Sequence, residues 1–129
     1  MTSSIESLRP AAREAPVAEP PDLSVVVVFA RRFAVLRRTL AHLRAQTIAG
    51  RIELIIVAPS RQAMRELQPR DSAGVHSVKS EIAGEIVNVD KAGARGVAAA
   101  SAPVIAFIED HAFPAPNWAE TIVESHRHA

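Results

Sequence analysis

Leu23-Ser24-Val25-Val26-Val27-Val28-Phe29 decides the fold class. Four valines in succession leave the segment no polar side. A strand of that composition is buried on both faces, as the central strands of parallel sheets are. Working outward, Phe33 to Thr47 reads as a helix whose stripe is Phe33, Leu36, Leu40 and Leu43. Ala49-Gly50 is expected to end it through a left-handed cap. Ile52-Glu53-Leu54-Ile55-Ile56-Val57 is a second buried strand, stopped at Ala58-Pro59-Ser60. Strand, helix and strand at this spacing form a βαβ unit. The expected class is therefore α/β, with helices on both faces of a mostly parallel sheet.

The flanking segments read less sharply. Ser60 is placed to cap a short helix from Arg61 to Leu67, and Gln68 to Lys79 reads as loop, broken by Pro69, Asp71, Ser72 and Gly74. Glu85-Ile86-Val87-Asn88-Val89 is expected as a weaker third strand. Lys91 to Ser101 is a small-residue helix able to approach a sheet closely. Val104 to Ile108 reads as another strand buried on both faces. Pro116-Asn117-Trp118 opens a last helix with Trp118, Ile122 and Val123 as its stripe. Met1 to Pro21 contains Pro10, Pro16, Pro20 and Pro21 and reads as a disordered tail. The expected organisation is a tail over 1–22 and one domain over 23–129.

Composition narrows the classes. A formal net charge of +1 argues against a general nucleic-acid binder. With no cysteine there is neither a disulfide framework nor thiolate chemistry. No apolar run approaches the ~20 residues of a membrane span, and the start lacks a signal-peptide pattern. A cytoplasmic location is the expectation.

Candidate chemistry gathers after the strand at 104–108, where Glu109, Asp110 and His111 follow at once. Ligands of open α/β sheets bind just past the carboxyl ends of strands. Strand alternation puts Glu109 and His111 on one side, about 7 Å apart along the chain, and Asp110 on the other. A carboxylate and an imidazole so placed suit a divalent cation or a metal–diphosphate pair, and a polar strand end capping the next helix is the alternative. Arg37, Arg38, His42 and Arg44 on the first helix read as a solvated basic face, with phosphate binding as the other reading. Lys91 and Arg95, one turn apart, are either phosphate contacts or solvated. Gly93 and Gly96 do not have the spacing of a dinucleotide fingerprint. Trp118 reads as core, and His126 and His128 as surface residues.

Three stretches together resemble the amino-terminal half of a family 2 glycosyltransferase, which has the GT-A, Rossmann-like fold. Ser24 to Gln46 is similar to the family's opening strand and helix, including Leu-Arg-Arg-Thr-Leu at 36–40 and Ala-Gln-Thr at 45–47. Gly93-Ala94-Arg95-Gly96-Val97-Ala98 resembles its arginine-bearing helix. Ala106 to His111, followed by Pro114, Pro116 and Trp118, resembles its Asp-x-Asp strand and the proline-tryptophan phrase. The resemblance implies a nucleotide-sugar donor bound by Phe29, Ala30, Arg31, Arg95 and Asp110. It also implies Mg²⁺ or Mn²⁺ held by Glu109 and His111, which stand where the family has its two outer acids. A metal there acts as a Lewis acid on the departing diphosphate. The chain departs from the family at Ala58-Pro59-Ser60, where paired acids are usual, and at Phe29-Ala30-Arg31-Arg32. No catalytic base is assigned.

The resemblance ends near Ser125, so the domain is expected to lack the acceptor half and to act beside a partner or a further segment. Two other readings are a non-catalytic binding module, and a flavodoxin-like nucleotide-binding domain indifferent to Glu109. An unfinished sheet is expected to leave an apolar edge for a second copy or a partner chain, and peripheral membrane association is left open.

Overall fold

The computed structural model describes residues 19–30 and 32–128. Every residue of strand β1 (Leu23–Val28) is buried. That demands a strand along each edge and a helical layer over each face. Strand β2 (Ile52–Ala58) runs parallel along one edge, with Val25 opposite Leu54. Strand β4 (Val104–Glu109) runs parallel along the other, with Val25 opposite Ala106. Strand β3 (Ser77–Ile82) pairs with β2, giving the all-parallel order β3-β2-β1-β4.

Alternate residues of the central strands feed two cores. Val25, Val27, Leu54 and Ile56 meet Leu36, Leu40 and Leu43 of helix α1 (Phe33–Arg44) and Ala119 and Val123 of helix α3 (Trp118–Arg127). Val26, Val28, Ile55 and Val57 meet Ala92 of helix α2 (Val89–Ala99). The expected three-layer αβα arrangement is what these cores form. Two glycines set the depth of α2. A Cβ on Gly93 would lie 2.5 Å from the Phe107 ring, and one on Gly96 would run into Val26 and Val57. These glycines therefore serve helix–sheet packing. Among the described residues, no helix is long and apolar enough to cross a membrane.

Several expectations are corrected. The third strand lies at Ser77–Ile82, not at Glu85–Val89. Its mixed Ser-Val-Lys-Ser-Glu-Ile composition suits an edge strand, whose outer side is wet. Gly84 then takes φ +77°, and the Asn88 side chain caps α2 by accepting the Lys91 N–H (3.1 Å). Strand β4 is not buried on both faces. It is an edge strand, with Ile105 40% and Phe107 41% exposed. Helix α1 stops at Arg44 rather than Thr47, and Gly50 has no left-handed φ because residues 49–51 form a 3₁₀ turn. Between Arg61 and Leu67 there is only the 3₁₀ turn Gln62–Met64, with the Ala63 N–H donating to Ser60 Oγ (3.1 Å).

The basic face of α1 is only partly solvated. Arg37 pairs with the buried Asp71 (3.1 Å), Arg38 lies over the Phe113 ring (4.7 Å), and His42 Nδ1 is 3.3 Å from the Pro114 carbonyl. Trp118 is half-buried beside the main core, and His126 and His128 are exposed. The expected tail falls outside the described residues up to position 18. Residues 19–22 are tied to the starts of β2 and β3: Arg51 pairs with Asp22 (2.9 Å), the Asp22 N–H donates to the Arg51 carbonyl (2.9 Å), and His76 Nε2 lies 2.7 Å from the Glu19 carbonyl.

Two polar groups lock the layers. Glu53, in the buried strand β2, is only 2% exposed. It accepts hydrogen bonds from Ser24 Oγ (2.6 Å), the Ser101 N–H (2.9 Å) and Ser101 Oγ (2.9 Å), and pairs with Lys79 (2.9 Å). One carboxylate thus ties β1, β2, β3 and the loop before β4 together. Burial alone would push its carboxyl up, but these donors outweigh burial and hold it at about 2. The second lock is Gln46, also buried. Its amide donates to the Ala115 and His42 carbonyls (2.7 and 3.1 Å) and its oxygen accepts the Ala119 N–H (2.9 Å). The loop after β4 is thereby pinned to the end of α1.

Each lock makes a prediction. Glu53 has a lower pKa folded than unfolded, so its contribution is complete above pH ~5 and is lost as pH falls towards 2. Denaturant unfolding between pH 7 and pH 3 should show this decline. Glu53→Gln should lower stability by roughly 3 kcal/mol at pH 7 and flatten the slope. Gln46→Ala leaves the Ala119 N–H and the Ala115 carbonyl unpaired, and should lower stability by about 2–4 kcal/mol in urea unfolding.

Candidate functional site

In parallel α/β sheets, ligands collect outside the carboxyl ends of the strands, at the point where the strand order reverses. From β1 the chain steps outward to β2 and β3, then crosses back to β4 on the far side of β1. The reversal therefore lies between β1 and β4, and residues 29–30 with Arg32 on one side and 110–114 on the other form its walls.

Asp110 joins the two walls. Its side chain is 13% exposed, and Oδ2 accepts the Ala30 N–H (3.1 Å) across 80 residues of sequence. Its carbonyl accepts Thr39 Oγ1 (2.7 Å), a buried hydroxyl of α1. Phe29 is buried, donates its N–H to the Val57 carbonyl (2.8 Å) and meets the Phe33 ring edge-on (5.9 Å between centroids). Arg31 lies outside the described residues. Arg32, Val35, Asp110 and His111 line a cleft of about 300 Å³ at this junction.

Glu109 and His111 are exposed at the mouth, and His111 Nε2 lies 3.0 Å from Glu109 Oε1. The ring's Nδ1 is 3.3 Å from Asp110 Oδ1. Strict strand alternation would keep His111 away from Asp110. The strand ends at Glu109, however, and the turn at 110–111 folds the imidazole between both carboxylates. A ring protonated on both nitrogens satisfies both acids, while a neutral ring donates to one. Among the described residues, no three His, Asp, Glu or Cys side chains are grouped to hold a metal by themselves. Glu109 and His111 could supply an ion with one oxygen and one nitrogen donor, a pair that Mn²⁺ accepts more readily than Mg²⁺.

Arg95 is not part of this junction. It pairs with Glu81 (3.4 Å) and, with Asn88, Lys91 and Glu85, lines a separate cleft of about 470 Å³ beside α2. A third cleft, of about 290 Å³, opens where β1 and β2 end and is lined by Phe29, Phe33, Ser60, Arg65 and Glu66 among others. The exit at 58–60 carries no carboxylate, but the chain folds back through a 3₁₀ turn and brings Glu66 to it. Thr39, Gln46 and Glu66 were not singled out from the sequence. The first two had a signal, because each is a polar residue in register with the apolar stripe of α1.

The comparisons identify the family and the fold. The family model described as glycosyl transferase family 2 matches residues 24–128. Comparison with curated proteins gives no match. Among solved structures, the crystal structure of S. aureus TarS superposes with a TM-score of 0.64 at 14% identity, covering 82% of this chain and 20% of that one. The structure of S. aureus TarS 1-349 gives 0.61 at 14% identity, covering 82% and 31%. These likenesses show the GT-A-type fold, and the chain spans between a fifth and a third of the length of those proteins. With a family model aligned to nearly the whole described domain, this chain belongs to glycosyl transferase family 2.

Proposed function

We propose that the crevice between β1 and β4 holds the nucleoside diphosphate of a sugar donor. The observation that carries this reading is the Ala30–Asp110 hydrogen bond at the strand-order reversal. In the proposal, Phe29 and Ala30 form the wall on the β1 side, and Arg31 and Arg32 supply positive charge next to it. Glu109 and His111 would hold Mg²⁺ or Mn²⁺, which as a Lewis acid offsets charge on the departing diphosphate. Asp110 holds the exit loop of β1 in place, and Arg95, paired with Glu81 in a separate cleft, is left out of the donor site.

Transfer also needs a base within reach of the acceptor hydroxyl. Glu120 is engaged by Thr47 Oγ1 (2.6 Å) and Glu124 by Arg127 (3.0 Å), so neither is assigned that role. The acceptor side therefore falls to another surface, a further segment or a partner chain. The open edge of β4, with Ile105 and Phe107 exposed, is where it would join. The engagement of these two acids equally favours a second reading, a domain that binds donor without turning it over. Release of nucleotide from a panel of sugar donors distinguishes the two.

Calorimetric titration with UDP and GDP should show binding that strengthens when Mn²⁺ is added. Glu109→Ala should remove the metal-dependent part, at least tenfold in affinity, with an unchanged melting temperature. The strand order β3-β2-β1-β4 and the family match exclude the flavodoxin-like reading, and binding indifferent to both Mn²⁺ and Glu109 would overturn the metal assignment.

A further inference from the structure

We propose that the outer face of α1 carries an oxyanion groove for a phosphate-bearing ligand, separate from the β1/β4 crevice. Opposite its buried stripe, α1 presents Ala34, Arg37, Arg38, Ala41 and Arg44. With Arg70 and Asp71 of the 3₁₀ turn Pro69–Ser72, they enclose a groove of about 340 Å³. The two alanines leave room between the arginines. A groove of this volume lies at the small end of ligand clefts.

Its charge is one-sided. Four arginines, Arg37, Arg38, Arg44 and Arg70, line it against one acid. The single acid lining the groove is already engaged. Asp71 is buried and accepts the Gln68 N–H (2.8 Å) and Arg37 Nε (3.1 Å). Burial would raise its carboxyl, but those two donors outweigh it and keep the group below the usual carboxylate range. Arg38 is braced over the Phe113 ring, which fixes its guanidinium at the rim.

Arg44 supplies the observation that points to a ligand. Its Nε is buried and meets no hydrogen-bond partner among the described residues. A guanidinium N–H without an acceptor is unfavourable; Nε itself is closed to solvent, so an oxyanion would be met by the part of Arg44 that lines the groove. Several planar forks around one space match a phosphate, whose oxygens accept from more than one guanidinium. The phosphate group can belong to a soluble phosphoester or to the headgroup of an anionic membrane.

Inorganic phosphate is the first probe, titrated into the parent chain and into Arg44→Gln and Arg70→Gln. The parent should bind, and each variant should bind roughly tenfold more weakly with its fold intact. Arg70 is exposed, so that variant decides the matter if Arg44→Gln lowers the melting temperature. Co-sedimentation with vesicles of phosphatidylcholine, alone or in equal parts with phosphatidylglycerol, identifies the source. Recruitment to the anionic vesicles that Arg44→Gln abolishes assigns a lipid headgroup, and phosphate binding without recruitment assigns a soluble phosphoester. No phosphate binding by the parent, or equal binding by the parent and both variants, overturns the proposal.

Discussion

The complete burial of β1 is the constraint on which this structure rests. A strand reading Leu-Ser-Val-Val-Val-Val cannot meet water on either face or either edge without loss of the hydrophobic stabilisation that drives folding. It therefore requires β2 and β4 as neighbours, α1 with α3 on one face, and α2 on the other. The tight seating of Gly93 and Gly96 against Phe107, Val26 and Val57 follows from the same demand. Glu53 adds specificity to this apolar arrangement. A buried carboxylate with four donors fixes the stagger of three strands, because a shift in register would leave it unpaired.

The same constraint creates the site. With β1 central and the chain returning to its far side as β4, two strand exits diverge and leave a crevice between them. Asp110 spans that crevice through Ala30, and Thr39 and Gln46 hold the backbone that carries Asp110 and the loop after it. The side chains at the mouth, Glu109 and His111, are exposed, whereas Thr39 and Gln46 beneath them are buried. Rigid support beneath exposed ligands is the arrangement expected of a site that binds a charged, partly hydrated group.

Much of this was legible in the sequence, for physical reasons. Strands buried on both faces must be apolar throughout, so β1 and β2 announced themselves, and α1 showed its stripe. Strand β3 was hidden because an edge strand carries Lys79 and Glu81 where a central one carries valine. Strand β4 misled in the opposite direction, since its apolar run covers only half its surface and leaves Ile105 and Phe107 in the open. The cluster at 109–111 was visible as composition, but its geometry depends on a turn that strand alternation does not describe. Arg37 and Arg38 looked like a solvated face because their partners, Asp71 and Phe113, lie far away in sequence. Family membership was readable from order and spacing across three stretches.

The central claim is that the crevice between β1 and β4 is the donor site. Its most direct test maps amide signals by nuclear magnetic resonance while UDP is added with Mn²⁺. The account predicts paramagnetic broadening centred on Glu109, Asp110 and His111 and reaching Ala30 and Arg32. Perturbation confined to Asn88, Lys91 and Arg95, with the crevice silent, would contradict it.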